Sequence, residues 1–283
     1  MAATAFQTQY RQETISTFEQ RRSLLRDSVT TEAVIKGNTA TFLVAGSGSA
    51  SAVTRGIDGL IPARANDLTQ TSATLAEWHD LVRITNFNIF ASQGDQREVA
   101  QKETVGVINR KVDSDILTTL ATATQDTGTT QTASLPLVVR AQAILGQNSV
   151  PFDGNIWAVI SPGFLAYLQQ ITEFGNADYV KQKPLDGDGP NWTDMPGYHD
   201  WMNIKWVVHP GVSGVGTSAE KCFMYHRSAI GHAMDTKGMD IDIGYEGEQA
   251  YSWARCSAHM GAALLQNSGV VVINHDSSAW AAE

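Results

Sequence analysis

Residues 31–36 and 39–44 are two short runs of mixed apolar and polar residues, and Gly37 and Asn38 separate them. Two such runs joined by a Gly-Asn pair are typical of a β-hairpin, because a primed two-residue turn matches the twist of the paired strands. Small residues and turn signals follow over residues 45–63. A two-stranded ribbon buries too little apolar surface to be stable alone. The pattern therefore predicts an extended hairpin that lies on another surface, for which a neighbouring subunit is the natural candidate.

The strongest helical pattern runs from Ser92 to about Ala121. Ser92 is a suitable N-cap, because an acidic residue, Asp95, follows three positions later. A helix of this length extends about 40 Å at 1.5 Å per residue. Its apolar positions recur mostly three or four residues apart and are Val99, Val105, Ile108, Val112, Ile116 and Leu120. This single narrow stripe predicts a spine helix, with one face on a sheet and the other facing solvent or another subunit.

The other patterns, taken with the hairpin and the spine helix, predict an α+β fold with mixed sheets. The pattern over residues 6–29 predicts a polar, mildly amphipathic arm that packs either on its own domain or on a neighbouring subunit. Partial alternation over residues 71–89 predicts a strand that leads into the spine helix. The periodicity and the turn residues predict helices at 135–145 and 161–174 and a turn-rich excursion at 175–201. Further strands are predicted at 155–160, 204–209, 222–226, 239–243, 250–255 and 270–274.

Composition and charge narrow the range of functions. Apolar residues make up 42% of the chain, as in ordinary globular proteins, whereas charged residues make up only 17%. Typical soluble domains contain about a quarter charged residues, so the low charge fits a surface covered by other protein and a neutral-surfaced enzyme equally well. The net charge is −9, and no run of Lys or Arg exceeds two residues. Sequence-specific DNA binding is not expected, because it needs a basic surface that neutralises phosphates.

The chain has no sequence signal for secretion or for membrane insertion. Its two cysteines, Cys222 and Cys256, form no Cys-x-x-Cys motif, and its first residues lack the basic and apolar regions of a signal peptide. No apolar stretch approaches the ~18 residues of a membrane span. We therefore expect a soluble protein that is made in a reducing cytoplasm and contains no disulfide bond.

No residue pattern predicts a cofactor, a metal or an active site. The seven histidines have none of the spacings of a helical metal site, and the sequence contains neither a Gly-x-Ser-x-Gly motif nor a phosphate loop. One candidate acid/base pair, His199-Asp200, lies in the turn-rich excursion. The sequence thus favours a structural protein without catalytic activity, and a soluble α+β enzyme that uses this pair is the alternative.

Five stretches between residues 18 and 121 resemble the major capsid protein of tailed bacteriophages, which has the Hong Kong 97-type fold. The order of the predicted elements is also similar to that family: an arm, an extended loop, a strand, a long spine helix and an α+β domain. The later half of the chain resembles the family by pattern only. The five stretches are Phe18-Glu-Gln-Arg-Arg-Ser-Leu-Leu-Arg, Thr41-Phe-Leu-Val-Ala-Gly-Ser-Gly, Gly59-Leu-Ile-Pro-Ala-Arg, Leu75-Ala-Glu-Trp-His-Asp-Leu-Val and Phe90-Ala-Ser-Gln-Gly-Asp-Gln-Arg.

The resemblance implies a division of the chain into four parts. These are an N-terminal arm at 1–30, an extended β-loop at 31–74, a peripheral domain with the spine helix at 75–145, joined by 259–283, and an axial domain at 146–258. The extended β-loop is expected to overlap the adjacent subunit.

The same resemblance implies a set of inter-subunit residues. Phe42→Asp and Leu43→Asp are therefore expected to leave the subunit folded and to block its assembly, because a carboxylate is costly to desolvate in an interface. The implied interface residues are Phe18, Arg22, Phe42, Leu43, Arg55, Arg64 and Trp78.

The function implied by the resemblance is structural. Copies of the chain are expected to form hexamers and pentamers of an icosahedral shell that encloses double-stranded phage DNA without sequence-specific binding. Candidate further partners are a separate scaffold protein, a portal protein and decoration proteins. Assembly is expected in the host cytoplasm, and the final location is the virion. The shell of a cellular encapsulin-type nanocompartment is the alternative with the same fold.

Overall fold

A computed structural model of the chain describes residues 20–31, 33–46, 51–63, 67–85, 96–175, 198–235 and 238–280. The chain forms two units, and each is built from three separate stretches of sequence. The first unit comprises Met1–Ser23, Glu77–Val112 and Asp235–His259, and the second comprises Leu24–Ala76, Asp113–Met234 and Met260–Glu283. Helices and strands are mixed along the chain, which confirms the predicted α+β class.

Three antiparallel strands form a sheet in the order β1 (Val34–Lys36), β2 (Thr39–Gly46) and β3 (Asp67–Thr74). The strands β1 and β2 are the predicted hairpin, and Gly37 has a φ of 62° in the turn between them, a left-handed conformation that suits glycine. The sequence predicts a strand only from residue 71 onward, so it misses the first half of β3, where most residues are polar. The strand β3 nevertheless pairs with β2 along its whole length.

The strand β4 (Ala76–Thr85) confirms the strand that is predicted before the spine helix. The helix α1 spans Gln96–Leu120, and its 25 residues extend about 38 Å at 1.5 Å per residue. The predicted N-cap, Ser92, lies outside the described residues. Four residues of the predicted stripe are buried, which confirms the apolar face of the spine: Ile108, Val112, Ile116 and Leu120.

Two helices of the second unit follow the spine. The helix α2 (Leu135–Gln147) is the one predicted from residue 135, and it contains a proline in its first turn. The helix α3 (Pro162–Leu168) begins after Ser161, whose hydroxyl accepts a hydrogen bond from the Phe164 amide. The predicted helix at 161–174 ends early and is followed by one further turn, α4 (Thr172–Gly175). In the ranges that the structure describes, no helix is both long and apolar enough to cross a membrane.

A five-stranded sheet lies in the second unit. Its strands are β5 (Ile156–Ile160), β6 (Tyr198–Trp201), β7 (Ile204–Val208), β8 (Glu220–His226) and β12 (Val270–His275). They follow the order β12-β8-β5-β7-β6, with β5 parallel to β7 and the other pairs antiparallel. Every residue of β5 is buried, which is why this central strand reads as a continuous apolar run.

A third sheet, of four strands, joins β4 to β9 (Ile230–Met234), β10 (Asp240–Glu246) and β11 (Tyr251–Leu264). The order is β10-β11-β4, and β9 pairs with the C-terminal part of β11. Gly244 lies under the indole of Trp253, where any added Cβ would clash with the ring. The sequence predicts β11 only to residue 255 and does not predict β9, because their small residues have weak strand propensity.

Candidate assembly surfaces

The base of the ribbon formed by β1, β2 and β3 belongs to the core of its own subunit. Ala40, Phe42 and Ala73 are buried in a cluster with Ala233 of β9. The Phe42 ring lies against Gly231, and a Cβ added there would come within 2.6 Å of the ring carbons. Phe42 is only 2% exposed. The expectation that Phe42 contacts another subunit therefore needs correction, since this side chain is already covered by its own chain.

The opposite face of the ribbon is open. Leu43 is next to Phe42 in β2 and, because side chains alternate across a strand, it points the other way and is 66% exposed. Val34 and Leu68 are also exposed. This face contains a shallow groove of about 820 Å³. Its lining residues mix apolar and polar side chains and are Ala33, Val34, Lys36, Thr41, Leu43 and Gln70.

Residues 51–63, which we call the tip, lie between β2 and β3 in the chain, and every one of them is exposed. The tip contains a closed turn: the Gly56 amide donates to the Leu60 carbonyl at 3.0 Å, and the Gly59 amide donates to the Gly56 carbonyl at 2.9 Å. Gly59 has a φ of 71°, which favours glycine at this position. The large apolar side chains of the tip that are exposed to solvent are Val53, Ile57, Leu60 and Ile61.

The remaining predicted interface residues have different surroundings. Arg55 is exposed in the tip, and Arg22 is exposed in the segment that precedes residue 24. Trp78 of β4 is 36% exposed, and Lys111 Nζ of α1 lies 3.8 Å from the centroid of its indole within the first unit. Phe18 and Arg64 lie outside the described residues. Arg22, Leu43, Arg55 and Trp78 thus have solvent-accessible surface that a second copy can cover.

Sequence reasoning misses a buried carboxylate that fixes residues 24–30, which we call the anchor segment. Asp113 of α1 is fully buried and accepts hydrogen bonds from the amides of Leu24 (2.9 Å) and Leu25 (3.2 Å). His209 Nδ1 accepts from the Gly211 amide, so its Nε2 carries the proton that is shared with Asp113 at 3.3 Å. The sequence does contain one sign that Asp113 is buried. Asp113 lies four residues before Leu117, which is buried, and so falls on the apolar side of the helix.

Further hydrogen bonds hold the anchor segment within the second unit. The hydroxyl oxygens of Ser28 and Tyr225 lie 2.5 Å apart in the interior, and burial raises the pKa of the Tyr225 hydroxyl well above its usual range. The Thr30 amide donates to the Ile230 carbonyl at 3.0 Å, and the Thr30 carbonyl accepts from the His232 amide at 2.9 Å. The anchor segment is therefore an integral part of this unit.

The candidate catalytic pair lies in a paired strand of the second unit. His199 and Asp200 occupy β6, with their backbones paired to Trp206 and Lys205, and thus lie in a strand rather than in the predicted turn-rich loop. Among the residues that the structure describes, no group of three or more His, Cys, Asp or Glu side chains is arranged to hold a metal ion. The features that stand out are instead the exposed apolar tip and the open face of the ribbon.

The family of the chain follows from its sequence. A model of the family described as phage capsid protein matches residues 2–277. The chain therefore belongs to the phage capsid protein family. A comparison with curated protein sequences finds no match.

Solved structures with a similar fold include phage capsids. The chain is similar to the structure of Mycobacterium phage Che8, with 14% identity, a TM-score of 0.72, and coverage of 97% of this chain and 98% of that one. The capsid of the cyanophage P-SCSP1u is 12% identical with a TM-score of 0.68, and the match covers 96% of this chain and 93% of that one. The capsid of Ralstonia phage GP4 is 13% identical with a TM-score of 0.68, and the match covers 95% of each chain. At these identities the likeness shows the fold.

The family and the fold together define a structural protein of a phage capsid, and this prediction is confirmed. Its place is in the virion. The predicted capsid-type fold is also confirmed. Neither comparison favours the alternative of a cellular nanocompartment shell.

Proposed function

We propose that copies of this chain assemble into the hexamers and pentamers of an icosahedral shell, and that the tip at residues 51–63 of one copy lies on a neighbouring copy. The observation that carries the proposal is the exposure of large apolar side chains at the tip, of which Leu60 is 73% and Ile61 66% exposed. Full burial of such a side chain between two copies would stabilise their contact by about 1.5–3 kcal/mol. Several large apolar side chains exposed in one segment mark a protein contact.

The proposed contact includes further residues in addition to the apolar side chains of the tip. Leu43 contributes the open face of the ribbon, Arg55 belongs to the tip, and Arg22 and Trp78 are accessible in the first unit. Phe18 and Arg64 belong to the proposal on the resemblance alone. Phe42 does not, because its own subunit covers it.

The proposal extends to the organisation of the particle. The parts at 1–30, 31–74, 75–145 with 259–283, and 146–258 act as arm, extended loop, peripheral domain and axial domain. The shell assembles in the host cytoplasm, encloses double-stranded DNA without reading its sequence, and works with scaffold, portal and decoration proteins. His199 and Asp200 have no catalytic role in it.

The tip can be tested with two substitutions and a matched control. Ile57→Asp and Leu60→Asp each place a carboxylate where the neighbouring copy would desolvate it, at a cost of several kcal/mol. Ser51→Asp adds the same charge to the same exposed segment without removing an apolar side chain. We expect all three subunits to fold, as measured by circular dichroism. Electron microscopy should show closed particles for the control and the parent only.

Two outcomes would count against the proposal. Normal particles from both Ile57→Asp and Leu60→Asp would remove the tip from the contacts between copies. A parent protein that forms only small discrete oligomers under every assembly condition would remove the shell itself.

A further inference from the structure

His232 of β9 is a buried side chain of the second unit and is only 1% exposed. Among the residues that the structure describes, neither of its ring nitrogens has a hydrogen-bond partner. A neutral imidazole normally satisfies at least one of its two nitrogens when it is buried, because the loss of a water contact costs free energy. The position is therefore stable only while the ring stays uncharged, since an imidazolium would have two buried donors without acceptors.

His232 lies where the anchor segment meets the strands. Its backbone amide donates to the Thr30 carbonyl, and the Thr30 amide returns a bond to the Ile230 carbonyl, which joins the anchor segment to β9. The charged groups that act on the ring come from two elements: Arg26 from the anchor segment, and Asp113 and Asp115 from α1. On the third element, β11, its partner in the pairing register is the uncharged Ala262.

We propose that His232 makes the attachment of the anchor segment acid-sensitive, so that protonation of the buried ring releases residues 24–30 from β9. Opening of the anchor segment exposes the imidazolium to water, whereas the closed arrangement leaves it desolvated beside the positive charge of Arg26. The proposal concerns a single subunit and does not depend on how copies assemble.

The direction of the effect follows from the protonation equilibrium. Burial, aided by Arg26 and opposed by Asp115 and Asp113, lowers the pKa of His232 from 6.5 to about 4. The closed state therefore binds fewer protons than the open state at intermediate pH. The attachment is fully stable above pH 6.5 and weakens as the pH falls from 6.5 towards 4. Between pH 7 and pH 5 these two pKa values predict an increase of about twentyfold in the open population.

Hydrogen exchange measured by mass spectrometry on the full-length subunit tests this inference. The readout is the protection factor of peptides that cover residues 24–31, in which each rate is divided by that of the unfolded peptide at the same pH. We expect protection to fall about twentyfold from pH 7 to pH 5 in the parent. It should stay nearly constant in His232→Leu, which cannot take up a proton. The helix α2, in the same unit, serves as the internal reference and should keep its protection.

Two further variants keep the test decisive. His259→Gln alters a half-exposed histidine of the first unit and should retain the acid response of the parent. Arg26→Met, which is useful if His232→Leu does not fold, removes the charge that opposes protonation and should reduce the response. Three results would overturn the inference: protection of the anchor segment that does not depend on pH, an equal fall in His232→Leu, or a parallel loss of protection in α2.

Discussion

The base and the tip of the β-ribbon both contain apolar side chains, but those of the base are buried and those of the tip are exposed. At the base, Ala40, Phe42 and Ala73 are buried against residues of their own subunit. At the tip, Ile57 and Leu60 are open to solvent. Burial of the base stabilises the subunit, whereas burial of the tip requires another copy. The comparison teaches that neighbouring substitutions along one ribbon can separate folding from assembly.

The largest expected effect is at the base. Phe42→Asp removes a buried ring and places a charge in the core, so we expect a loss of more than about 3 kcal/mol and an unfolded subunit. Leu43→Asp, one residue away on the open face, should change stability by no more than about 0.5 kcal/mol. Urea unfolding monitored by circular dichroism separates the two. Equal stability of the two variants would erase the distinction between the buried face and the open face of the ribbon.

A smaller effect tests the fit between Phe42 and β9. Gly231→Ala adds a methyl group against the Phe42 ring, and we expect a destabilisation of about 1–3 kcal/mol from overpacking. Phe42→Leu replaces the ring with a smaller side chain and should make room for the methyl group. The double variant should then be more stable than the sum of the two single changes predicts, as measured in a double-mutant cycle. Simple additivity would show that the ring does not constrain Gly231.

At the tip, Leu60→Ala should act on assembly alone. The melting temperature of the subunit should not change, because the side chain is exposed in the single chain. The concentration of free subunits that coexists with particles should rise about tenfold or more, since each contact loses burial worth about 1.5–3 kcal/mol. Sedimentation of an assembly mixture gives this concentration. An unchanged value together with an unchanged melting temperature would show that Leu60 is not buried between copies.

The smallest effect is expected for DNA. With a net charge of −9, the isolated subunit should not retain duplex DNA in a gel-shift assay at physiological salt. Arg55→Gln should leave this result unchanged, because the tip is proposed to contact protein. Tight binding by the parent that Arg55→Gln abolishes would instead make the tip a nucleic-acid surface.

Local patterns predict the elements whose residues alternate or recur along the chain. The predictions of the hairpin and of the spine helix are therefore confirmed. Gly37-Asn38 marks a turn, and the stripe through Ile108 and Val112 marks a buried helix face. The first half of β3 is missed, because its stability comes from pairing with β2 rather than from its own polar side chains.

Contacts between distant residues account for what the sequence could not predict. Alternation places Phe42 and Leu43 on opposite faces, but which face is covered depends on Gly231 and Ala233, which lie almost 190 residues further along the chain. The same holds for Asp113, whose partners are backbone amides of Leu24 and Leu25. Exposure of the tip, in contrast, agrees with its run of small residues and turn signals.

The closed turn at the tip has a consequence for the rate at which a shell grows. Ordering a residue at the moment of contact costs about 1–2 kcal/mol in conformational entropy. The bonds between Gly56, Gly59 and Leu60 are already made in the single chain, so an incoming copy does not have to fold this turn when it docks. The ordering of this turn therefore does not slow the addition of subunits to the proposed shell.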